Sequence, residues 1–212
     1  MEIDIIFDTV CPWCFIGKKR LENALASRLL ITVKPNWKPF LLNPEIPTEG
    51  IDRTAYLIKK FGSEARINHF YGAIGEAGQS VEIDFAFERI NKTPNSVNSH
   101  RLVRFAGQHG RAGDVVEALF GEFFINGRDI GDIDVLVDIA AAHGLDTVDL
   151  RNYLQSTDDV ELIYNENIQA HRLGINGVPS YAFNEKFLIS GAQDPMVLAR
   201  MMDVAAATQN LT

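Results

Sequence analysis

The feature that most constrains this chain is Cys11-Pro12-Trp13-Cys14, which holds its only two cysteines. It follows a short apolar run, Ile3 to Phe7, and opens a helical pattern that continues to about Leu29. The length and β-branching of the run favour a buried strand. Pro12 suits the first position of a helix, where its missing N–H is no loss. The expected arrangement is therefore strand, cysteine pair, helix.

A helix start favours a thiolate, because unpaired backbone N–H groups and the positive end of the macrodipole lie there. Cys11 takes that position and is the expected nucleophile. Cys14, three residues on and on the same face, is the expected resolving thiol of a Cys11–Cys14 disulfide. Lys18, Lys19 and Arg20 are expected to add positive charge and lower the Cys11 pKa further. Cys14, Gly17, Leu21 and Leu25 form a stripe at helical spacing, which turns Cys14 inward and lets Gly17 pack closely on a sheet. Asp8, just before the motif, is a candidate proton acceptor for Cys14, or else a polar strand end or part of the helix cap.

Two other readings of the cysteine pair compete with this one. Tetrahedral zinc needs about four ligands, and there is no second cysteine pair, nor any ligand-type spacing among His69, His100, His109, His143 and His171; no metal is expected. Two plain core thiols remain the alternative to redox chemistry.

A chain of 212 residues that is 46% hydrophobic can build one sizeable core or two small ones. A formal net charge of −8 and the lack of a basic stripe argue against nucleic acid. No apolar run approaches the roughly 20 residues of a membrane span. The opening Met1-Glu2-Ile3-Asp4 has none of the marks of a secretory signal, so a cytoplasmic location is expected. In a reducing compartment a cysteine pair is more often catalytic than structural.

Residues 31 to 42 read as a second strand, confined to a sheet edge by Pro35 and Pro39. From about Thr54 to Leu173 the pattern is helical, with helices expected at 54–61, 64–77, 98–109, 114–126, 133–143, 147–155 and 159–173. Asp146 and Asp158 look like N-caps, and 81–97 reads as a loop. After Gly174, residues Tyr181 to Phe183 and Phe187 to Ser190 read as a hairpin turning at Asn184-Glu185-Lys186. Asp194 as N-cap with Pro195 behind it starts a last amphipathic helix.

Three segments carry a resemblance: Phe7-Asp8-Thr9-Val10-Cys11-Pro12-Trp13-Cys14-Phe15-Ile16-Gly17; Asn98-Ser99-His100-Arg101-Leu102; and Gly174-Ile175-Asn176-Gly177-Val178-Pro179-Ser180 with Ser190-Gly191-Ala192-Gln193. Over nearly its whole length the chain resembles the DsbA-like thioredoxin-fold family, and its FrnE-type branch most. The resemblance implies an α/β thioredoxin fold with a large all-helical insertion between the second and third strands. Residues 1–43 and 174–212 form the thioredoxin-like part and 44–173 the insertion. It also implies a third strand antiparallel to the first, a cis Pro179, and Val178 and Pro179 facing Cys11. Pro12 and Trp13 then shape the site together with Val178 and Pro179. Trp13 stands where the secreted oxidases carry a His, so a less oxidising pair is expected.

The expected function is thiol–disulfide oxidoreduction or isomerisation on a disulfide-containing protein, peptide or small molecule, by a monomer or homodimer with no tightly bound cofactor. Glutathione is a candidate reductant or co-substrate. The last helix, near Gln193 and Asp194, offers N–H groups to its carboxylate, although the Asp194 side chain competes for the same donors. The second reading is a glutathione-dependent transferase or isomerase of the kappa or 2-hydroxychromene-2-carboxylate isomerase kind, enzymes that typically carry Ser where this chain has Cys11. The third is a non-catalytic docking module whose cysteine pair only senses redox state.

Overall fold

The apolar N-terminal run becomes the centre of a sheet. The structure, a computed structural model, describes residues 1–209; residues 210–212, the end of the expected C-terminal part, lie outside that range. Strand β1 (Glu2–Phe7) pairs in parallel with β2 (Lys34–Pro39), with Ile5 opposite Trp37. On its other side it pairs antiparallel with β5 (Ser180–Phe183), which pairs with β6 (Phe187–Ser190). The order is β2-β1-β5-β6, so β2 lies at an edge, the place its two prolines tolerate. Asn184 and Glu185 turn the hairpin with φ of 50° and 57°, the left-handed conformation of a tight hairpin turn.

Side chains on β1 alternate between two faces. Ile3 and Ile5 pack with Leu21 and Ala24 of α1 (Pro12–Ala26) and with Leu198 and Met202 of α9 (Pro195–Gln209). Ile6 points the other way, to Phe40, Ala170 and Ile175, where α8 (Val160–Arg172) covers the sheet. Helix α1 stops at Ala26, short of Leu29, because Ser27 turns both its N–H and its hydroxyl back onto the Ala24 carbonyl.

Between β2 and β5 the chain is mostly helical: α2 (Arg53–Phe61), α3 (Glu64–Gln79), α4 (Val97–Gly107), α5 (Ala112–Phe124), α6 (Ile133–Ala142) and α7 (Thr147–Gln155) precede α8. The insertion is not wholly helical. Ile51–Asp52 (β3) pairs antiparallel with Lys92–Thr93 (β4), and Phe87–Arg89 forms a short 3-10 turn. The expected loop at 81–97 thus contains a two-residue ladder, too short to show as an alternating pattern.

Asp146 caps α7, accepting from the N–H groups of Val148 and Asp149 at 2.9 Å each. Asp158 does not cap α8; the cap position falls to Asp159, with φ 59°. The Asp159 carboxylate accepts instead from the Tyr153 hydroxyl at 2.9 Å and Arg104 Nε at 2.8 Å. Asp158 offers its carbonyl to Arg101 Nε at 2.8 Å.

Arg101 is only 1% exposed. It donates to the carbonyls of Tyr153, Leu154 and Ser156 at the end of α7 and lies over the Tyr153 ring at 4.6 Å. A cation at a helix C-terminus complements the macrodipole and satisfies orphan carbonyls. Arg101→Met should therefore cost about 3 kcal/mol by leaving several buried acceptors unpaired, read as a lower urea midpoint with an unchanged slope.

Candidate functional site

The turn between β1 and α1 delivers the cysteine pair. Cys11 N–H bonds to the Asp8 carbonyl at 3.1 Å, and the Cys11 carbonyl accepts from Cys14 N–H at 3.0 Å, so Cys11 sits at the N-cap in an extended conformation (φ −97°) with Pro12 behind it. Both cysteines are free thiols and both are buried, at 4% and 3% exposure, while Pro12 and Trp13 are half-buried. The Val178–Pro179 bond is cis, and Cys11 Sγ lies 3.7 Å from the Val178 carbonyl oxygen.

Gly17 brings α1 hard against the β5 side. A Cβ there would lie 2.7 Å from Pro179 Cγ and closer still to the Tyr181 hydroxyl. Tyr181 is fully buried, and among the described residues its hydroxyl has no hydrogen-bond partner. Burial pushes its pKa upward, and the charges of Cys14 and Cys11 push it further the same way.

Cys14 is held well above the ordinary thiol range, mainly by burial and then by its hydrogen bond and charge interaction with Cys11; the Asp8 backbone works in the opposite direction. Cys14 is thus a protonated donor toward the Cys11 sulfur. The basic cluster after the motif does not act as expected. Lys18 pairs with Glu22 and Glu117, Lys19 pairs with the same two carboxylates, and Arg20 donates to the Ala192 carbonyl. The two lysine charges are neutralised by Glu22 and by Glu117 of α5 rather than presented to Cys11.

Asp8 is completely buried. Its carboxylate accepts from Leu42 N–H at 2.7 Å and Val10 N–H at 3.3 Å, and lies 3.5 Å from His100 Nε2. It does not cap α1. The Thr9 and Ser99 hydroxyls meet at 2.6 Å. The segment 98–102 therefore supplies the floor beneath the motif, a role that appears only when α4 packs there.

A groove of about 230 Å³ opens over Cys11. Trp13, Gly177 and Val178 form one wall, and Arg53, Tyr56, Leu57, Lys60 and Phe61 of α2 form the other, with Phe70 and Tyr71 of α3 behind them. Gln193 and Asp194 do not line it. Gln193 Nε2 donates to the Ser190 carbonyl at 2.6 Å, and Asp194 caps α9 through Met196 N–H at 2.8 Å. Sequence reading missed the α2 wall, although positions 53, 56, 57, 60 and 61 share one helical face. Two cations and no carboxylate line the groove among the described residues. Arg53 is fixed by its Nη2 donating to the Tyr71 hydroxyl at 2.9 Å and by the Phe123 ring. Among these residues no cluster of three or more His, Cys, Asp or Glu is placed to hold a metal ion, and no helix is long and apolar enough to cross a membrane.

The raised Cys14 pKa links redox state to stability. A thiol whose folded pKa exceeds its unfolded value, about 8.5, contributes stability that is complete below that value and lost as pH rises through the folded pKa. The reduced protein should lose unfolding free energy progressively above about pH 8.5, and Cys14→Ala should flatten that dependence. Urea melts in reductant across this range provide the check; an unchanged slope in the variant would refute the assignment.

Comparison with known proteins agrees with this geometry. A probable DsbA oxidoreductase from Streptomyces coelicolor superposes with a TM-score of 0.89 at 25% identity, covering 98% of this chain and 90% of that one. The same fold recurs at lower identity in a cytosolic disulfide reductase, DsbM, from Pseudomonas aeruginosa with GSH (TM-score 0.67, 15% identity, 100% and 98% covered). It recurs also in a 2-hydroxychromene-2-carboxylate isomerase (TM-score 0.70, 18% identity, 100% of both chains covered). The model of the DSBA-like thioredoxin domain matches residues 2–203, and with the cysteine pair, the insertion and the strand order in place, the chain belongs to the DsbA-like thioredoxin family.

Proposed function

We propose that this protein is a thiol–disulfide oxidoreductase of the FrnE-type branch, working in the cytoplasm through Cys11 and Cys14. The observation that carries the reading is the division of labour between the thiols. Cys11 stands at a helix start beneath an open groove, and Cys14 lies behind it, buried and held protonated. The Cys11 thiolate attacks one sulfur of a substrate disulfide, forming a mixed disulfide and releasing the first substrate thiolate. Cys14 then loses its proton and attacks the Cys11 sulfur, which releases the second thiol and leaves Cys11–Cys14 oxidised. Two electrons pass to the substrate, and two glutathione molecules return them to the protein as glutathione disulfide forms.

Asp8 takes the Cys14 proton in this scheme. Its carboxylate is buried beside the pair, and its charge opposes ionisation of Cys14, so proton transfer between the two removes the opposition. A transferase or isomerase has no use for a resolving thiol, and a docking module has no need to keep one protonated beneath a nucleophile.

Cys11→Ser should abolish exchange, while Cys14→Ser should retain attack and accumulate mixed disulfides visible on non-reducing gels. Equal loss of the attack step in both would mean the roles are misassigned. Turnover confined to an aromatic electrophile plus glutathione, and persisting in Cys14→Ser, would instead establish the transferase or isomerase. Asp8→Asn preserves an acceptor for Leu42 N–H and should slow release from the mixed disulfide by about 100-fold while sparing the attack step, resolved by rapid-quench kinetics.

A further inference from the structure

Tyr181, on β5 opposite Ile5, is buried behind the cysteine pair, and its hydroxyl has no hydrogen-bond partner among the described residues. It lies against α1 at Gly17, where an added Cβ would collide with the hydroxyl and stand 2.7 Å from Pro179 Cγ. Positions three apart on a helix are neighbours on one face, so a group seated on Gly17 is a neighbour of Cys14. A buried hydroxyl without a partner is costly, and phenylalanine would fill nearly the same volume without that cost. The oxygen therefore finds its use in a state other than the resting, reduced one.

We propose that the Tyr181 hydroxyl donates a hydrogen bond to the Cys14 sulfur as that sulfur becomes a thiolate, which makes Tyr181 a catalytic residue of the resolving step. The inference rests on the oxidoreductase reading and adds a group to the same site. Cys14 is 3% exposed, so solvent does little to stabilise the charge that forms there once Cys11 is held in a mixed disulfide. A fixed donor aimed at the place where charge develops lowers the barrier without strengthening the ground state. In the reduced protein Cys14 keeps its proton, and in the Cys11–Cys14 disulfide neither sulfur is charged, so the donor meets its acceptor only midway. The phenol itself stays protonated, because burial raises its pKa and the charges of Cys14 and Cys11 raise it further; Arg20, which donates to the Ala192 carbonyl, acts in the opposite sense. Tyr181 thus gives a hydrogen bond and no proton. The proton leaving Cys14 still passes to Asp8, and the electron pair left on the sulfur forms the bond to Cys11 as the substrate thiolate departs.

Tyr181→Phe tests this with the aromatic disulfide dithiobis(nitrobenzoate) as probe. Its first nitrothiophenolate leaves when Cys11 attacks and its second when Cys14 resolves the mixed disulfide, so stopped-flow absorbance separates the two steps; Cys14→Ser, which stops at the first, identifies them. A hydrogen bond to a charged acceptor is worth about one to two pKa units, and nucleophilicity recovers part of that loss with a slope of about 0.4–0.5. The variant should therefore release the second equivalent about three- to tenfold more slowly near neutral pH, with the deficit narrowing as pH rises and Cys14 ionises without help. The first release should be unchanged. Urea melts of the reduced variant should give a midpoint no lower than that of the wild type, because an unpaired polar atom is gone. An unchanged second release, a deficit that does not vary with pH, equal slowing of both releases, or a lowered urea midpoint would overturn the inference. Where the wild-type second release depends on Cys14 and Tyr181→Phe leaves it unchanged, the oxidoreductase reading stands and the Tyr181 role alone falls; a wild-type protein that releases no second equivalent defeats both.

Discussion

Everything at the site depends on a buried polar junction beneath it. The Asp8 carboxylate takes Leu42 N–H from the chain leaving β2 and lies beside His100 of α4, while Thr9 meets Ser99 one residue further along. Three segments far apart in sequence are fastened at the point where β1 turns into α1. Burying such groups is costly unless they find partners, and the turn that carries Cys11 gives the Asp8 carboxylate and the Thr9 hydroxyl theirs. The same bond to Leu42 fixes part of the groove border, because Leu42 and Asn43 line the space beside the Cys11 sulfur. The placement of Cys11 and the border of its groove thus share one carboxylate.

An aromatic cluster makes the junction rigid. Phe15, on the turn of α1 that carries Cys14, stacks on Phe120 at 5.1 Å, and Phe85 stacks on Phe87 at 4.9 Å as both meet Phe124 edge-on. Phe7, at the end of β1, contacts Trp37, His100 and Phe120. Offset and edge-on ring pairs add directional preference to ordinary burial. The insertion is therefore part of the same core as the helix that carries the cysteine pair, and α3 and α2 join it through Tyr71 stacked on Phe87 and Phe61 against Phe70.

Much of this was readable in the sequence because the signals were local. Pro35 and Pro39 place β2 at an edge, and Asp194-Pro195 starts α9, as their backbone chemistry requires. Cys14, Gly17 and Leu21 share the buried stripe their spacing describes. The readings that differ depend on partners distant in the chain. Lys18 and Lys19 look like free charge until Glu117 arrives from α5, and Asp158 looks like a cap until Arg101 takes its carbonyl. Gln193 and Asp194 satisfy their own turn rather than the groove. The groove lining was legible only as a helical stripe on α2 with no stated partner, since nothing local says that this face overlies Cys11.

In the proposed cycle the protonation state of Cys14 sets the order of events. Nucleophilic strength rises with thiol pKa, but the fraction of thiolate falls faster, since the Brønsted slope is only about 0.4–0.5. A resolving thiol held well above the ordinary range by burial and by Cys11 is therefore slow to attack until its surroundings change. Formation of a mixed disulfide removes the Cys11 charge and hydrogen-bond acceptor that helped hold the proton on Cys14, leaving burial and the Asp8 carboxylate as the remaining opposition. In that proposal, transfer of the proton to Asp8 removes the second of these. On this reading substrate capture creates the condition for its own release, and the mixed disulfide lasts for as long as that proton transfer takes.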